Sequence, residues 1–229
     1  MMLFSGCSFT YGDELEDREK ERFSAYFDSH NIAQCGLCND AIVRNTITEI
    51  ESNPNKYDTV VVQFTLHTRT EVPLRDKYLP ITPQNLRFEV RIGNGTLRIR
   101  RWQFAKAIYT NDLWNMHIGK ENMHKNMFFM QSYLRMKGLK YVFLSNDGQK
   151  QWMNSNILRA VGHNPKHNDY TNSCWYEMLD SSITNVHDVI GYKCDHPEYF
   201  SNSNDKGGHP NALGHEAIAK TVKRLLLSC

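Results

Sequence analysis

The sequence contains no apolar run approaching the ~18 residues that a membrane-crossing helix requires, which argues against a helical membrane protein. No leader is expected either. Residues 1–14, MMLFSGCSFTYGDE, have no basic start, and their apolar run breaks at Ser5, so they do not read as a signal peptide. The expectation is a cytoplasmic protein, with association with a virion particle also open. Charge of one sign is scarce. A net charge of +2 over 229 residues gives no reason to expect nucleic acid or another polyanion as partner. No internal repeat, low-complexity tract or linker is visible. The six cysteines read as free thiols in a reducing compartment. Cys35-Gly-Leu-Cys38 is a CxxC, but it lacks the second ligand pair of a zinc site. His163, His167, His187 and His196 show no compelling ligand spacing, and most of them read as surface or loop residues. No metal or cofactor is expected.

What is present is an ordinary globular balance, 40% apolar and 23% charged. The length suits one α/β domain that can bury a core without disulfides or metal. Met1–Phe4 reads as a buried strand stopped by Ser-Gly, and Thr59–Phe64 (TVVVQF) as a strand covered on both faces. Leu139–Ser145 is a third such strand, and Ile32–Ala33 a short one. Helical spacing marks part of Asp13–Ser29, Ala41–Ile50, and Ala212–Leu227 with Ile218, Val222 and Leu225 on one stripe. Leu86–Ile92 and Thr96–Trp102 flank Gly93-Asn94-Gly95 and predict a hairpin. Trp102–Lys137 then reads as helical, interrupted near Gly119. Its aromatic and methionine side chains suit a core or the roof of a substrate cleft. Arg87, Arg91, Arg98, Arg100 and Arg101 fall on the predicted hairpin, as a solvated face or a patch for an anionic ligand. The order of strands and helices is that of a parallel sheet flanked by helices. One domain over 1–229 is expected, with an insertion at about 66–137.

Two short stretches at opposite ends of the chain carry chemistry. In Gly6-Cys7-Ser8-Phe9-Thr10-Tyr11-Gly12 a serine follows the first strand, at the sheet edge where α/β proteins place ligands. Backbone N–H groups there can stabilise an oxyanion, although the same residues also read as a capped turn. In Asp205-Lys-Gly-Gly-His209-Pro210-Asn211-Ala-Leu-Gly214-His215 a histidine sits in a Gly/Pro-bounded loop before the last helix. It can take a proton from a serine hydroxyl brought near it, and it also reads as an ordinary surface loop.

Together these stretches resemble the first and last blocks of the SGNH (GDSL-like) hydrolases. Asn31-Ile-Ala-Gln-Cys-Gly36-Leu-Cys-Asn39-Asp40 resembles the second block, whose glycine N–H serves the oxyanion hole. The resemblance implies a three-layer α/β/α sandwich of flavodoxin-like architecture, here with an inserted hairpin-plus-helix region. It implies a serine esterase with Ser8 as nucleophile and His209 as general base, acting through an acyl-enzyme on a short acyl ester. An O-acetyl group, often on carbohydrate, is the implied substrate type. Oxyanion donors would be the N–H groups of Ser8 and Gly36. Two places depart from the pattern. The third block's asparagine is missing from Thr65-Leu66-His67-Thr68-Arg69, as in divergent, often bacteriophage-encoded, members. His67 or Thr68 is the expected replacement donor, with Thr65 and Arg69 as competitors. The acid expected three residues before His209 is Lys206, so Asp205 is the candidate that orients His209, with a Ser-His dyad as the other possibility. These departures also fit an SGNH-fold binding or virion structural protein without catalysis, and the same triad serves O-acyltransferases. Nothing in the sequence selects the alcohol or the oligomeric state.

Overall fold

The structure, a computed structural model, describes residues 1–75, 77–82, 95–110, 113–114, 116–146, 174–179, 183–191, 195–201 and 208–227. In chain order the strands are β1 (Met2–Ser5), β2 (Ser29–Asn31), β3 (Thr59–Phe64), β4 (Thr70–Leu74), β5 (Lys77–Ile81), β6 (Lys140–Ser145) and β7 (Thr184–Asn185). The helices are α1 (Ser8–Tyr11), α2 (Arg18–Glu21), α3 (Asn39–Ser52), α4 (Gly95–Thr110), α5 (Met116–Met136), α6 (Cys174–Glu177), α7 (Val186–Ile190) and α8 (Ala212–Leu227). Five strands form one sheet in the order β2-β1-β3-β6-β7, with every pairing parallel.

Strand alternation explains the layering. Leu3, Val60, Val62 and Phe143 face one side and pack with Ile42 and Ile50 of α3 and Met123, Met127, Met130 and Leu134 of α5. Their neighbours Phe4, Val61, Val142 and Leu144 face the other side and meet Val186 and Ile190 of α7 and Ile218, Ala219 and Val222 of α8. Both faces are covered, so β3 is apolar almost throughout and wholly buried. Each fully buried Val or Phe contributes about 1.5–3 kcal/mol, set against the entropy of ordering the chain. The expected α/β/α sandwich with a parallel sheet is therefore present.

The inserted region differs from the sequence reading. The hairpin that exists is β4–β5, antiparallel, with Val72 opposite Leu79. Pro73 and Pro80 disguise these strands, since proline cannot donate to a ladder. A two-stranded ribbon tolerates proline because neither of its outer edges is paired among the described residues. The Arg44 guanidinium of α3 holds the ribbon by pairing with Glu71 and lying 4.0 Å from the centre of the Tyr78 ring. The predicted strand Thr96–Trp102 is instead the first half of α4. Ala105 and Tyr109, one turn apart on that helix, pack with Leu79 and Ile81 of β5, and this contact outweighs a short alternating pattern. The other predicted strand, Leu86–Ile92, lies outside the described residues. Arg98, Arg100 and Arg101 consequently belong to a helix, while Arg87 and Arg91 are outside the described residues.

The expected interruption near Gly119 is present, α4 ending at Thr110 and α5 beginning at Met116. Gly119 is in the first turns of α5 for a steric reason. A Cβ there would sit 2.3 Å from the carbonyl oxygen of His67. Gly119→Ala should therefore destabilise the protein by about 1–3 kcal/mol, the usual cost of overpacking against rigid backbone. A urea midpoint equal to that of the native protein would show that the loop yields without cost.

Candidate active site

The turn after β1 is built from small residues for close packing. A Cβ on Gly6 would approach Thr10 Oγ1 to 2.5 Å and Gln63 to 3.0 Å. Gln63 of β3 is fully buried, and its Oε1 accepts from Cys7 N at 3.3 Å, Cys7 Sγ at 3.2 Å and Thr10 Oγ1 at 3.1 Å. This fixes the backbone on either side of Ser8. Ser8 opens α1, is 5% exposed, and donates its hydroxyl proton toward Cys7 Sγ at a long 3.9 Å. Its carbonyl accepts from Gly12 N at 3.0 Å and Asp13 N at 3.1 Å. Gly12 takes φ +83, the left-handed conformation that closes this helical turn. The chain continues through Asp13 to Glu14, a non-glycine residue also at positive φ (+70).

The C-terminal motif resolves into separate structural duties. Asn211 caps α8, its Oδ1 accepting from Gly214 N at 3.0 Å, and its amide donates to Glu198 O at 2.7 Å and Phe200 O at 3.2 Å. Gly214 lets Tyr199 O come within 2.5 Å of where a Cβ would stand. His215 is fully buried, stacks on Phe23 and accepts from Phe23 N through Nδ1 at 3.2 Å. Burial, with the nearby His209 second, drives its pKa down to about 3. These contacts hold His209, whose carbonyl accepts from Ser201 N at 3.0 Å.

The structure brings His209 against the turn that Ser8 begins. Its ring lies edge-on to Phe9 with centroids 5.5 Å apart. Its Nδ1 is 3.1 Å from Glu14 Oε1, and its Nε2 is 3.8 Å from Asp13 Oδ2. The Nδ1 contact is short but not aligned as a hydrogen bond. His187 lies edge-on to the same Phe9 ring at 5.9 Å, with its Nδ1 3.0 Å from Gly191 O. It lies in α7 and is 5% exposed, so His187 is a packed helical residue rather than a surface or loop one. His196 is exposed, and His163 and His167 lie outside the described residues.

Two further loops reach this edge. Gly36 adopts φ +80 in the turn after β2, with open space where a Cβ would be. Its neighbour Cys35 has its thiol pushed up to about 12 by loss of surrounding water and by the Asp13 carboxylate beside it. Cys38 is buried and unlinked, and burial pushes it up to about 12 as well. Neither thiol is poised as a thiolate. The loop after β3 is tied to the same segment. Thr65 N donates to Asn39 Oδ1 at 2.8 Å, Asn39 Nδ2 donates to Thr65 O at 3.1 Å, and Arg69 Nη1 donates to Leu37 O at 3.4 Å. His67 is buried, and Thr68 is half-buried with its carbonyl accepting from Tyr109 OH at 2.7 Å. Thr65 is fully buried, and its hydroxyl finds no partner among the described residues.

His209 thus packs against the turn that Ser8 begins, and the Gly36 segment and the Thr65–Arg69 loop are tied to each other. Asp205 lies outside the described residues. Sequence reasoning passed over Glu14, Asp13 and Gln63. The acids directly follow the serine turn, but nothing in a local pattern places a glutamate in the left-handed region. Among the described residues no group of three His, Cys, Asp or Glu is arranged to hold a metal, and no helix is long and apolar enough to cross a membrane.

No family profile matches the sequence, and no curated protein's sequence does either. Solved structures do match across almost the whole chain. A G-D-S-L family protein from Desulfitobacterium hafniense DCB-2 superimposes with a TM-score of 0.54 at 9% identity, covering 98% of both chains. A protein from Lactobacillus plantarum gives 0.50 at 12% identity, over 99% of this chain and 96% of the other. The psychrotrophic esterase EstA from Pseudoalteromonas sp. gives 0.49 at 11% identity, over 98% and 97%. At these identities the likeness is one of fold, and the fold is that of the G-D-S-L proteins.

Proposed function

We propose that this chain is a serine ester hydrolase acting on short acyl esters, with Ser8 as nucleophile and His209 as general base. The observation that carries this reading is the seating of His209 on the turn that Ser8 begins, although the two stand at opposite ends of the chain. In the proposed reaction Ser8 Oγ leaves its weak contact with Cys7 Sγ and bonds to the ester carbonyl carbon. Its proton passes to His209 Nε2. The tetrahedral oxyanion is held by the N–H groups of Ser8 and Gly36 and by one donor from the loop after β3. Collapse expels the alcohol, which takes the proton from His209 and leaves an acyl-serine. Water, deprotonated by His209, then bonds to the acyl carbon; the Ser8 Oγ–acyl bond breaks, the acid leaves, and His209 returns the proton to Ser8 Oγ. An acetyl group carried on a carbohydrate is the substrate type the resemblance to SGNH hydrolases suggests, with the whole chain, 1–229, forming one domain in this reading.

Reaction with a fluorophosphonate probe tests the reading without a guess at substrate. Ser8 should be the modified residue. A fully folded protein that takes up no probe would favour the second reading, a non-catalytic binding or structural protein on this fold. The near-complete burial of Ser8 and its hydroxyl's contact with Cys7 are the features that favour it.

The side-chain oxyanion donor is expected among His67, Thr68, Thr65 and Arg69. Replacing the true donor with alanine should lower kcat by about 10²–10³, the usual effect of losing one preorganised donor. If all four alanine variants keep native kcat, the backbone N–H groups suffice and no side chain completes the hole.

A further inference from the structure

We propose that Glu14, from the N-terminal turn, is the acid that positions His209; the proposal rests on the esterase reading above. Three observations carry it. Glu14 Oε1 stands 3.1 Å from His209 Nδ1, well inside ion-pair range. The other carboxylate oxygen, Oε2, accepts the hydroxyl proton of Ser201, whose N–H in turn donates to the carbonyl of His209. The carboxylate is therefore tied through Ser201 to the backbone of the histidine itself, not swinging free. Finally, the backbone of Glu14 holds φ +70, a conformation that L side chains adopt at some cost. The turn that imposes it is the one closed on the Ser8 carbonyl through Gly12 N and Asp13 N. One short loop thus fixes both the nucleophile and the acid.

The chemistry follows from the two ring nitrogens. His209 Nδ1 is buried without an aligned hydrogen-bond acceptor, and a buried N–H in that state is costly. A modest turn of the ring or carboxylate aligns Nδ1–H with Glu14, and unliganded sites commonly carry such loose geometry. With the proton on Nδ1, the lone pair is on Nε2, which is where a general base needs it. The carboxylate also stabilises the imidazolium formed once Ser8 gives up its proton. Asp13 is the weaker candidate. It lies farther away, on the Nε2 side, and its side chain is 43% exposed against 19% for Glu14. Asp205 of the C-terminal loop is the competitor from sequence.

The test uses the full chain. Hydrolysis of an aryl acetate is measured for the native protein and for Glu14→Gln, Glu14→Asp, Asp13→Asn and Asp205→Asn. Long-range ¹H–¹⁵N spectra of neutral His209 report which ring nitrogen carries the proton. Glu14→Gln should lower kcat by about 10²–10⁴-fold with KM little changed, in line with loss of the acid in the serine protease template. Glu14→Asp should recover part of that loss. The native ring should be protonated at Nδ1, and Glu14→Gln should shift the proton toward Nε2. Native kcat and an unchanged tautomer in Glu14→Gln would overturn the proposal, as would a loss confined to Asp205→Asn. If Glu14→Gln does not fold, the native spectrum alone decides, because a ring protonated at Nε2 contradicts the assignment. If the native protein shows neither turnover nor probe uptake, the esterase reading fails, while the tautomer spectra still decide whether Glu14 holds His209.

Discussion

Ser8→Ala should remove all measurable hydrolysis of a short-chain aryl ester while leaving the melting temperature close to that of the native protein. The two halves of this expectation have separate causes. Losing the nucleophile of a serine hydrolase costs on the order of 10⁶ in kcat, because no other group forms the acyl intermediate. Stability is spared because the Ser8 hydroxyl contributes little to the fold. Among the described residues its one hydrogen bond is the 3.9 Å contact with the Cys7 thiol, a weak acceptor. The bonds that shape the turn are made by the Ser8 carbonyl and by Cys7 and Thr10 to Gln63, and alanine keeps them all. Turnover that survives in a folded Ser8→Ala protein would remove Ser8 from the mechanism. Lost turnover with a melting temperature many degrees lower would show that the hydroxyl serves structure instead.

The elements readable in the sequence are those whose burial is two-sided or strictly periodic. Thr59–Phe64 was legible as a strand because both of its faces are covered, so no polar residue interrupts it except Gln63. The last helix was legible to its ends because Ile218 and Val222 line one buried stripe. The β4–β5 ribbon was hidden by Pro73 and Pro80, and Thr96–Trp102 read as a strand because its helical state depends on packing of later residues, Ala105 and Tyr109, on that hidden ribbon. One missed element produced the other error. In the site, the motif residues were visible while their supports were not. Gln63 lies inside a strand and shows its role only through partners on another strand's turn. Glu14 is legible neither by type nor by spacing, since its role depends on a left-handed backbone and on Ser201, far along the chain.

The motif's second histidine carries the other large expected effect, on stability in acid. His215 is fully buried against Phe23, and its Nδ1 accepts the Phe23 N–H, so protonating that nitrogen breaks the bond and places a charge in an apolar site. Burial first, and the neighbouring His209 second, bring its folded pKa to about 3 from an ordinary 6.5. The folded state therefore keeps the ring neutral while the unfolded chain takes up a proton below pH 6.5. Protons favour unfolding in this window. The contribution of His215 is intact above pH 6.5 and is lost progressively as pH falls toward 3. At about 1.4 kcal/mol per pH unit the full loss is on the order of 5 kcal/mol, a large share of a typical domain's stability. His215→Gln isolates this effect, because the amide oxygen can still accept from Phe23 N and does not titrate. The variant should be less stable than the native protein at pH 7.5, having lost the stacked ring. Its urea midpoint should then fall less steeply between pH 6.5 and 4.5, by about 2–3 kcal/mol when converted to free energy. Equal slopes in the two proteins would mean that His215 does not titrate differently on folding, and that acid sensitivity arises from other groups.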